Sequence, residues 1–570
     1  LPICVMKKRI VSLFATLAML LTMCSGMSVI ASADAAPVDL SIGATNLGQN
    51  SDKDWWPDDF IKHVNEVLNV NISWTKYDDD TFALALASGD QCDVMMSNKP
   101  AAVLTANAAV AMDDYLEEYG QNILKYQLRN DLLRKFLSNG DGKLYFHTPN
   151  TGYEDSTGAQ SAWNGYLVRW DLYEKLGCPE MKTYEDYANV LQQMVELYPT
   201  NENGDQTYAM GIWNDSGLWG WLMGTVANMG YTAVGDYNFA WDIRTNEMSN
   251  QLLADDDQSF FWTAMKFYND LYNRGLLDPD SFSMTNDDRA EKYANNRYVG
   301  GVCSWYVGET ETTNREADPN STAGIIAIPA EGMSGWYGQN AIIGWDGKNL
   351  YVSSSCAEDK IPAAVSFIDY LDSDEGNRTS YSGVQGVYWD YDDQGVPALL
   401  DSTVALKSAG GDDWSKTGIG SYNNFIGSSA FGVAEDGYYY DLSIYNLSQG
   451  LSPMQKAFCE HYGVSYPGEL RYKYEQEGKG YSQKVSLHTT IGALQGTVPD
   501  DISTITSRIQ EMMIRNIQSF VTASSAEEFQ TLRDQFVNDV KDAGLETAYE
   551  WYNTKWGELK TEIEAVMAAE

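Results

Sequence analysis

Residues 211–224 read GIWNDSGLWGWLMG. Three indoles, Trp213, Trp219 and Trp221, fall within nine positions. An indole has a flat apolar face and a single N–H donor, so such a cluster serves either as core filler or as a stacking surface for a bound ligand. A helical wheel started at Leu218 separates the three. Leu218, Leu222, Val226 and Met229 form one stripe with Trp219 and Met223 at its edge, which predicts Trp219 in the core. Trp221 falls beside Thr225 and Asn228 on the polar face, and Trp213 precedes the capping run Asn214-Asp215-Ser216. Trp213 and Trp221 are therefore the predicted ligand contacts of this stretch.

The composition narrows what such a ligand is. The chain has 570 residues and a net charge of −42, from 80 Asp and Glu against 38 Lys and Arg. That field repels phosphate backbones and anionic membrane surfaces, which argues against nucleic acid as a partner. The acidic residues are spread among 17 Trp and 37 Tyr rather than set in blocks, the pattern of a solvated globular surface and not of a disordered tail. The length calls for two domains or more. No G-x-S-x-G, H-E-x-x-H, Walker or strand-linked G-x-G-x-x-G motif is present. A glycan hydrolase needs two carboxylates about 5–10 Å apart across a cleft, a pairing that the abundance of acid leaves open. Five cysteines follow residue 36 (Cys92, Cys178, Cys303, Cys356 and Cys459), without CxxC or zinc-ligand spacing, and no metal or cofactor is expected.

The elements that must position these residues alternate. Val38–Gly43 reads as a strand, 56–68 as a helix, Val70–Trp74 as a strand, Thr81–Ser88 as a helix and Asp93–Met96 as a strand, an α/β pattern that implies a mainly parallel sheet. Further strand candidates are 142–147, 165–169, 325–328 and 350–353; Asp346-Gly347 reads as a tight hairpin. Helical patterns cover 183–198, 218–229, 259–274, 361–371 and 502–570. Residues 380–450 read as loops with short elements. At the N-terminus, Met6-Lys7-Lys8-Arg9 and the apolar Val11–Leu21 have the form of an export signal, assigned to 1–35. Leu21-Thr22-Met23-Cys24 resembles a lipid-attachment box with Met23 where a small residue is usual, which would make Cys24 the lipid attachment site, while Ala31-Ser32-Ala33 and Ala33-Asp34-Ala35 fit ordinary cleavage. Both routes lead to export, as a cell-surface lipoprotein or as a secreted or periplasmic chain.

Several blocks, in order, resemble one family. Leu86-Ala87-Ser88-Gly89-Asp90 with Asp93 and Val94, Leu167–Gly177 (LVRWDLYEKLG) with Lys182–Tyr187, Asn273–Asp280 (NRGLLDPD), Ala363–Gly376 (AAVSFIDYLDSDEG), Gly383–Trp389 (GVQGVYW) and Gly544–Trp556 (GLETAYEWYNTKW) are similar to segments of bacterial extracellular solute-binding proteins of ABC importers, family 1-like, in the long oligosaccharide-binding branch. The resemblance implies a periplasmic-binding-protein-like α/β fold, with two lobes joined by crossover strands near 160–166, 329–334 and 382–388 and an interlobe cleft. Lobe 1 is expected to be 38–162 with 332–383, and lobe 2 to be 163–331 with 384–570, the last part a helical extension. It further implies a monomer that takes up an oligosaccharide, closes by hinge motion and delivers to ABC permease subunits, touching the membrane only through a lipid anchor.

A sugar offers hydroxyls to carboxylates, amides and guanidinium groups, and C–H-rich ring faces to aromatics. On that chemistry the candidate ligand residues are Asp54 and Trp55 after the first strand, Trp163 at the first crossover, Trp213 and Trp221, Trp305 in the GGVCSWY stretch, and Trp345 and Trp389 near the later crossovers. Trp305 ends a block that resembles one with a stacking Trp in sugar binders of the family. Asp93 is read as a structural hydrogen-bonding residue, and Trp551 and Trp556 as packing. Asn201–Asp205 echoes a calcium loop of some long members, but Pro199 stands where the first acidic ligand would be, so a polar turn is expected.

Overall fold

The computed structural model describes residues 36–45, 58–148, 164–333, 342–343, 349–409, 411–419, 432–480 and 486–569. In chain order its strands are β1 (Val38–Thr45), β2 (Val70–Tyr77), β3 (Val94–Ser97), β4 (Tyr166–Arg169), β5 (Tyr231–Val234), β6 (Phe239–Asp242), β7 (Glu247–Asn250), β8 (Gly300–Gly301), β9 (Ile325–Ile328), β10 (Asn349–Val352), β11 (Trp389–Tyr391) and β12 (Pro397–Leu399). The chain divides into two units. Unit 1 takes Leu1–Asn150, Asp346–Ala430 and Ala434–Tyr440; unit 2 takes Thr151–Trp345, Phe431–Val433 and Asp441–Glu570.

Unit 1 is built on a four-stranded sheet in the order β10-β3-β1-β2. β1 runs parallel to β2 and β3, and β10 antiparallel to β3. Leu40, Ile42 and Ala44 of β1 are buried, as are all four residues of β3, as expected of central strands covered on both faces. The return helices span Asp58–Leu68 and Asp79–Ser88. The second opens on a capping box between Asp78 and Thr81 and ends at Gly89, whose φ of 70° suits glycine. Gly43 is required by close approach: a Cβ there would stand 2.6 Å from the Met95 sulfur and 2.7 Å from the Tyr77 ring. Asp93 ties the sheet together. Its Oδ2 accepts from the Ser41 N–H and the Ser41 hydroxyl, both at 2.8 Å, and from Lys360 at 3.4 Å. Burial works against its charge, yet these donors hold the carboxyl below the usual aspartate range.

Under the sheet, Arg129 on the helix Gln127–Phe136 meets Asp372 at the end of the helix Ile361–Asp372. The contact is bidentate, at 3.1 and 2.6 Å, and both side chains are buried. The His147 Nδ1 lies 3.4 Å from the same carboxylate. The segment 142–147, a predicted strand, forms only an isolated bridge from His147 to Leu350.

Unit 1 also retains residues expected in lobe 2 from 384 onward. The hairpin β11–β12 lies in it, and Arg378 clamps Asp436 at 2.7 and 2.8 Å. Tyr440 donates to Asp374 at 2.8 Å, and its carbonyl accepts from the Ser382 hydroxyl at 2.7 Å. These bonds fold the stretch back on the helix Asp374–Ser382. Conversely, Gly332, the expected start of the second lobe 1 segment, donates to Lys479 within unit 2 at 2.7 Å.

In unit 2, β4 is flanked by β8 and β9, both antiparallel to it. The parallel pairing expected of the first three strands is found in unit 1, whereas in unit 2 the named strands pair antiparallel and the parallel contacts are the isolated bridges Tyr208 to Tyr298 and Met210 to Leu277, among the described residues. Four-residue apolar strands carry no polarity signal; their direction follows from where the intervening helices return the chain. A three-stranded antiparallel meander, β5–β6–β7, was not anticipated from the sequence. β9 and β10 lie in different sheets, and Asp346-Gly347 lies outside the described residues.

The helices Asp500–Thr522, Ala526–Asp542 and Leu545–Ala569 close the core of unit 2. Phe520, Phe529 and Phe536 pack around Trp262, and the Asn269 amide donates to the carbonyls of Phe520, Val521 and Ala523 at 2.7–3.1 Å. Trp556 packs on Trp241, as the packing reading expected, and donates to Gln495 at 2.6 Å. No helix among the described residues is long and apolar enough to cross a membrane.

Two expected outcomes follow from this packing. Arg129→Met leaves the Asp372 carboxylate buried without its cation and lowers unfolding free energy by about 3–5 kcal/mol, read by urea denaturation. His488 in unit 2 is buried, and burial depresses its imidazole from 6.5 to about 4. The unfolded chain then binds the proton more tightly than the folded one. Stability that is complete above about pH 6.5 is lost progressively as pH falls toward 4, by up to about 3 kcal/mol. In His488→Gln that part of the pH profile flattens.

Candidate functional site

The three-tryptophan stretch folds into a layered aromatic cluster in unit 2. The chain enters through Ile212, whose N–H donates to Ser281 at 3.1 Å, and Asn214, whose N–H donates to the Met284 carbonyl at 2.8 Å. A single 3-10 turn, Asn214–Ser216, follows, and the Ser216 hydroxyl closes on the Trp213 carbonyl at 2.6 Å. Gly217, at φ 59°, then redirects the chain into the helix Leu218–Asn228. Gly220 lets that helix sit on the turn: a Cβ there would lie 2.1 Å from the Ser216 oxygen.

Trp213 forms the lower layer and is 4% exposed. Trp219 meets it edge-on at 5.6 Å, and Tyr306 lies tilted over it at 4.8 Å. Trp219 and Tyr306 are themselves in edge contact at 5.2 Å, and both are half-buried. Trp305, next to Tyr306 in the turn Ser304–Tyr306, is 41% exposed. Asn214 and Asp215 are exposed and Ser304 half-exposed, so polar groups stand near the rings in sequence. Asp215 also accepts from the Asn286 N–H at 3.1 Å.

Arg289 ties the cluster together. Its guanidinium lies 5.5 Å from the centre of the Trp213 ring, 5.1 Å from that of Tyr306 and 5.7 Å from that of Tyr293. It donates to Asn286 at 2.9 Å, to Glu309 at 3.2 Å and to the Tyr306 carbonyl. Behind the turn, burial raises the Cys303 thiol to about 12, so it is no nucleophile at neutral pH. The surface offered to a ligand is therefore aromatic, with amide, carboxylate and hydroxyl groups nearby in sequence.

The predicted roles within the stretch change. Trp221, expected to meet ligand, is 1% exposed; it stacks on Phe282 at 5.7 Å and meets the Tyr268 ring edge at 5.2 Å. The face that looked polar is interior with its hydrogen-bond donors satisfied there: Thr225 donates to Leu222 at 2.9 Å, and Asn228 donates to Gly165 and Tyr184, both at 3.1 Å. Trp219, expected in the core, forms part of the surface, and Trp213 lies beneath it. Trp389 is also buried. Its N–H donates to the Gly383 carbonyl at 2.8 Å and its ring lies under Arg378, so the indole closes the β11 turn in unit 1. Trp305 is brought beside Tyr306, and Tyr306 itself was missed by the sequence reading; its adjacency to Trp305 was the available signal. Asp54, Trp55, Trp163, Trp345 and Cys24 lie outside the described residues.

The Asn201–Asp205 loop is a polar turn tied to its neighbours, with the Asn201 amide donating to the Asn295 carbonyl at 2.8 Å. The Asn201 side-chain oxygen accepts from the Asn203 and Asp205 N–H groups at 3.0 and 2.7 Å, and Tyr198 donates to Glu202 at 2.7 Å. Among the described residues no group of three or more His, Cys, Asp or Glu gathers to hold a metal. All five cysteines there are free thiols.

No family model matches the chain. Solved structures do. A human-milk-oligosaccharide (HMO) binding, ABC-transporter-associated solute-binding protein from Bifidobacterium longum infantis superposes with a TM-score of 0.57 at 14% identity, covering 93% of this chain and 99% of that one. The Streptococcus pneumoniae ABC-transporter substrate-binding protein FusA, in complex with kestose, gives 0.57 at 14% identity over 93% and 100%. The alginate-binding protein AlgQ2 gives 0.55 at 17% identity over 92% and 98%. The fold is accordingly the periplasmic-binding-protein-like α/β fold of solute-binding proteins. Among curated proteins, lipoprotein LipO of Bacillus subtilis is 24% identical over 406 residues, 68% of this chain and 75% of that protein.

The layering separates stability from surface. Trp221→Ala opens a cavity between Tyr268 and Phe282 and is expected to cost about 3–5 kcal/mol. Trp219→Ala, at the half-exposed edge, should cost about 1–2 kcal/mol. Thermal denaturation of the two variants side by side checks the order; the reverse order would return Trp219 to the core.

Proposed function

We propose that this chain is the extracellular substrate-binding component of an ABC importer, capturing an oligosaccharide and passing it to a membrane permease by hinge closure of its two units. The observation that carries the reading is the half-exposed ring surface of Trp219 and Tyr306, with the exposed Trp305 next in the turn and Asn214, Asp215 and Ser304 nearby in sequence, on a solute-binding-protein fold. Ring faces of that kind match the C–H faces of a pyranose or furanose, and the polar groups match its hydroxyls. Relatives of the same fold are described as bound to kestose and as binding human-milk oligosaccharides.

The finer parts of the reading are proposals in the same sense. Asp54, Trp55, Trp163 and Trp345 are further ligand contacts. The chain is exported on its basic and apolar N-terminal segment and held by lipid at Cys24 or released; similarity to a lipoprotein supports the first. It acts as a monomer, without turnover of its ligand.

Isothermal titration with a panel of neutral oligosaccharides (1-kestose, raffinose, maltotriose, lacto-N-tetraose) tests it. At least one member is expected to bind, unchanged when recovered by chromatography. Trp219→Ala and Trp305→Ala each weaken that binding about tenfold or more. Release of shorter sugars, or affinity indifferent to both substitutions, would sink the reading.

A further inference from the structure

Asn-Gly occurs three times in the sequence, at 139–140, 164–165 and 203–204. In such a pair the glycine nitrogen can attack the side-chain amide carbon of the asparagine, because glycine brings no Cβ to obstruct the approach. The attack needs a free N–H, room and water, and the fold supplies these unequally. Asn164 is 4% exposed. Gly165 beside it, at φ 139°, is pressed on β9, where a Cβ would stand 2.2 Å from the Ile328 carbonyl oxygen. Asn203 is exposed, but the Gly204 N–H donates to the Asn201 carbonyl at 3.0 Å. The nucleophile of that pair is held away from its target, and the Asn203 N–H is held too, by the Asn201 side chain at 3.0 Å.

The pair at 139–140 differs on each count. It lies in unit 1, just beyond the helix Gln127–Phe136, and residues 139–143 are all exposed. Gly140 has φ 80°, and a Cβ there would meet nothing within 4 Å. Its N–H finds no acceptor among the described residues. The Asn139 amide donates to the Leu104 carbonyl at 3.4 Å, a long contact that leaves Cγ open. The neighbouring Asp141-Gly142 is less reactive, because closing the same ring requires a protonated carboxyl. The Tyr145 hydroxyl at 2.7 Å and the Lys143 N–H at 3.0 Å hold the Asp141 carboxyl below the usual aspartate range.

We infer that Asn139 is a site of spontaneous deamidation whose rate the fold sets. The Gly140 nitrogen loses its proton to solvent and bonds to Cγ of Asn139; the Cγ–Nδ2 bond breaks, and ammonia leaves with a proton from solvent. Water then opens the cyclic imide at either carbonyl, giving aspartate or isoaspartate at position 139. Water is the only co-reactant. The product adds a carboxylate close to Asp141 and, as isoaspartate, a methylene to the main chain. The flanks are anchored independently of the bend: the Leu137 N–H donates to Leu133 at 2.7 Å, Leu144 to Asp113 at 2.7 Å and His147 to Leu350 at 2.8 Å. Unit 1 therefore stays folded after modification. The inference is independent of the oligosaccharide reading. To test it, full-length protein is incubated in mildly alkaline buffer beside a sample in urea, and both are digested for peptide mass spectrometry with chromatographic separation of isoaspartate. In native protein position 139 is expected to convert at least about fivefold faster than 203, the factor that a hydrogen bond on the attacking N–H imposes. Position 164, which must first open locally, converts more slowly still. In urea the three rates converge. In Asn139→Gln, whose longer side chain closes a ring far more slowly, the early acidic shift of incubated native protein on isoelectric focusing disappears while the melting temperature is unchanged. Native conversion at 203 or 164 that equals or outruns 139 overturns the inference. So does a native position 139 that stays intact while the urea sample converts, or aspartate there without isoaspartate.

Discussion

Burying a guanidinium constrains everything around it, because five N–H donors in a rigid fork must find acceptors away from water. Three times in this chain that demand organises a region. Arg129 takes Asp372 and the Ile123 carbonyl and so joins the helices Gln127–Phe136 and Ile361–Asp372 of unit 1. Arg378 takes Asp436 and the Tyr438 carbonyl, which is why 432–440 folds with unit 1 although the chain has by then passed the expected lobe boundary. Arg289 takes Glu309, Asn286 and the Tyr306 carbonyl, and fixes the height at which the tyrosine ring lies over Trp213. In each case one arginine joins segments well apart in sequence, so local helix propensity could not have placed them.

The aromatic surface inherits its order from that arrangement. Rings that stack only on each other slide, whereas Trp213 is held at once by the Arg289 guanidinium and by two rings. Trp219 and Tyr306 are then held by a buried layer rather than by solvent-exposed loops, and a ligand face built on them loses little freedom when occupied. Because Arg289 is already engaged by Glu309, the cluster itself offers rings, hydroxyls and amides rather than a net positive charge.

The sequence made the scaffold legible and the site only partly so. β1, β2, β3 and β9 lie within one to three residues of their expected ends, because continuous apolar runs between turn residues have few other uses. The capped helices Asp79–Ser88 and Tyr184–Leu197 were equally readable, each having a capping box. The helix Leu218–Asn228 was expected too, at 218–229, but its faces were not readable, because it is buried on almost every side. A helical wheel sorts residues by polarity and assumes one wet face; here the donors of Thr225 and Asn228 find acceptors indoors, and the assumption failed for Trp221. The β5–β7 meander escaped notice because YTAV, FAWD and EMSN do not alternate cleanly. Arg289 escaped because its role comes from tertiary contacts with no local pattern, and Tyr306 had only its adjacency to Trp305 to mark it.

The C-terminal helices complete the same chain of dependence. Trp221 rests on Tyr268 of the helix Phe260–Asn273, and the first turn of that helix, through Phe261 and Trp262, meets Phe520, Phe529 and Phe536. Asn269 draws in the end of the helix Asp500–Thr522 through three carbonyls. The last seventy residues, roughly an eighth of the sequence, therefore form the wall against which the helix beneath the platform is packed. A terminal helix can be lost cheaply when it covers nothing apolar. Here it covers two of the largest side chains in the core, so the position of Trp219 at the surface depends on residues some three hundred positions further along the chain.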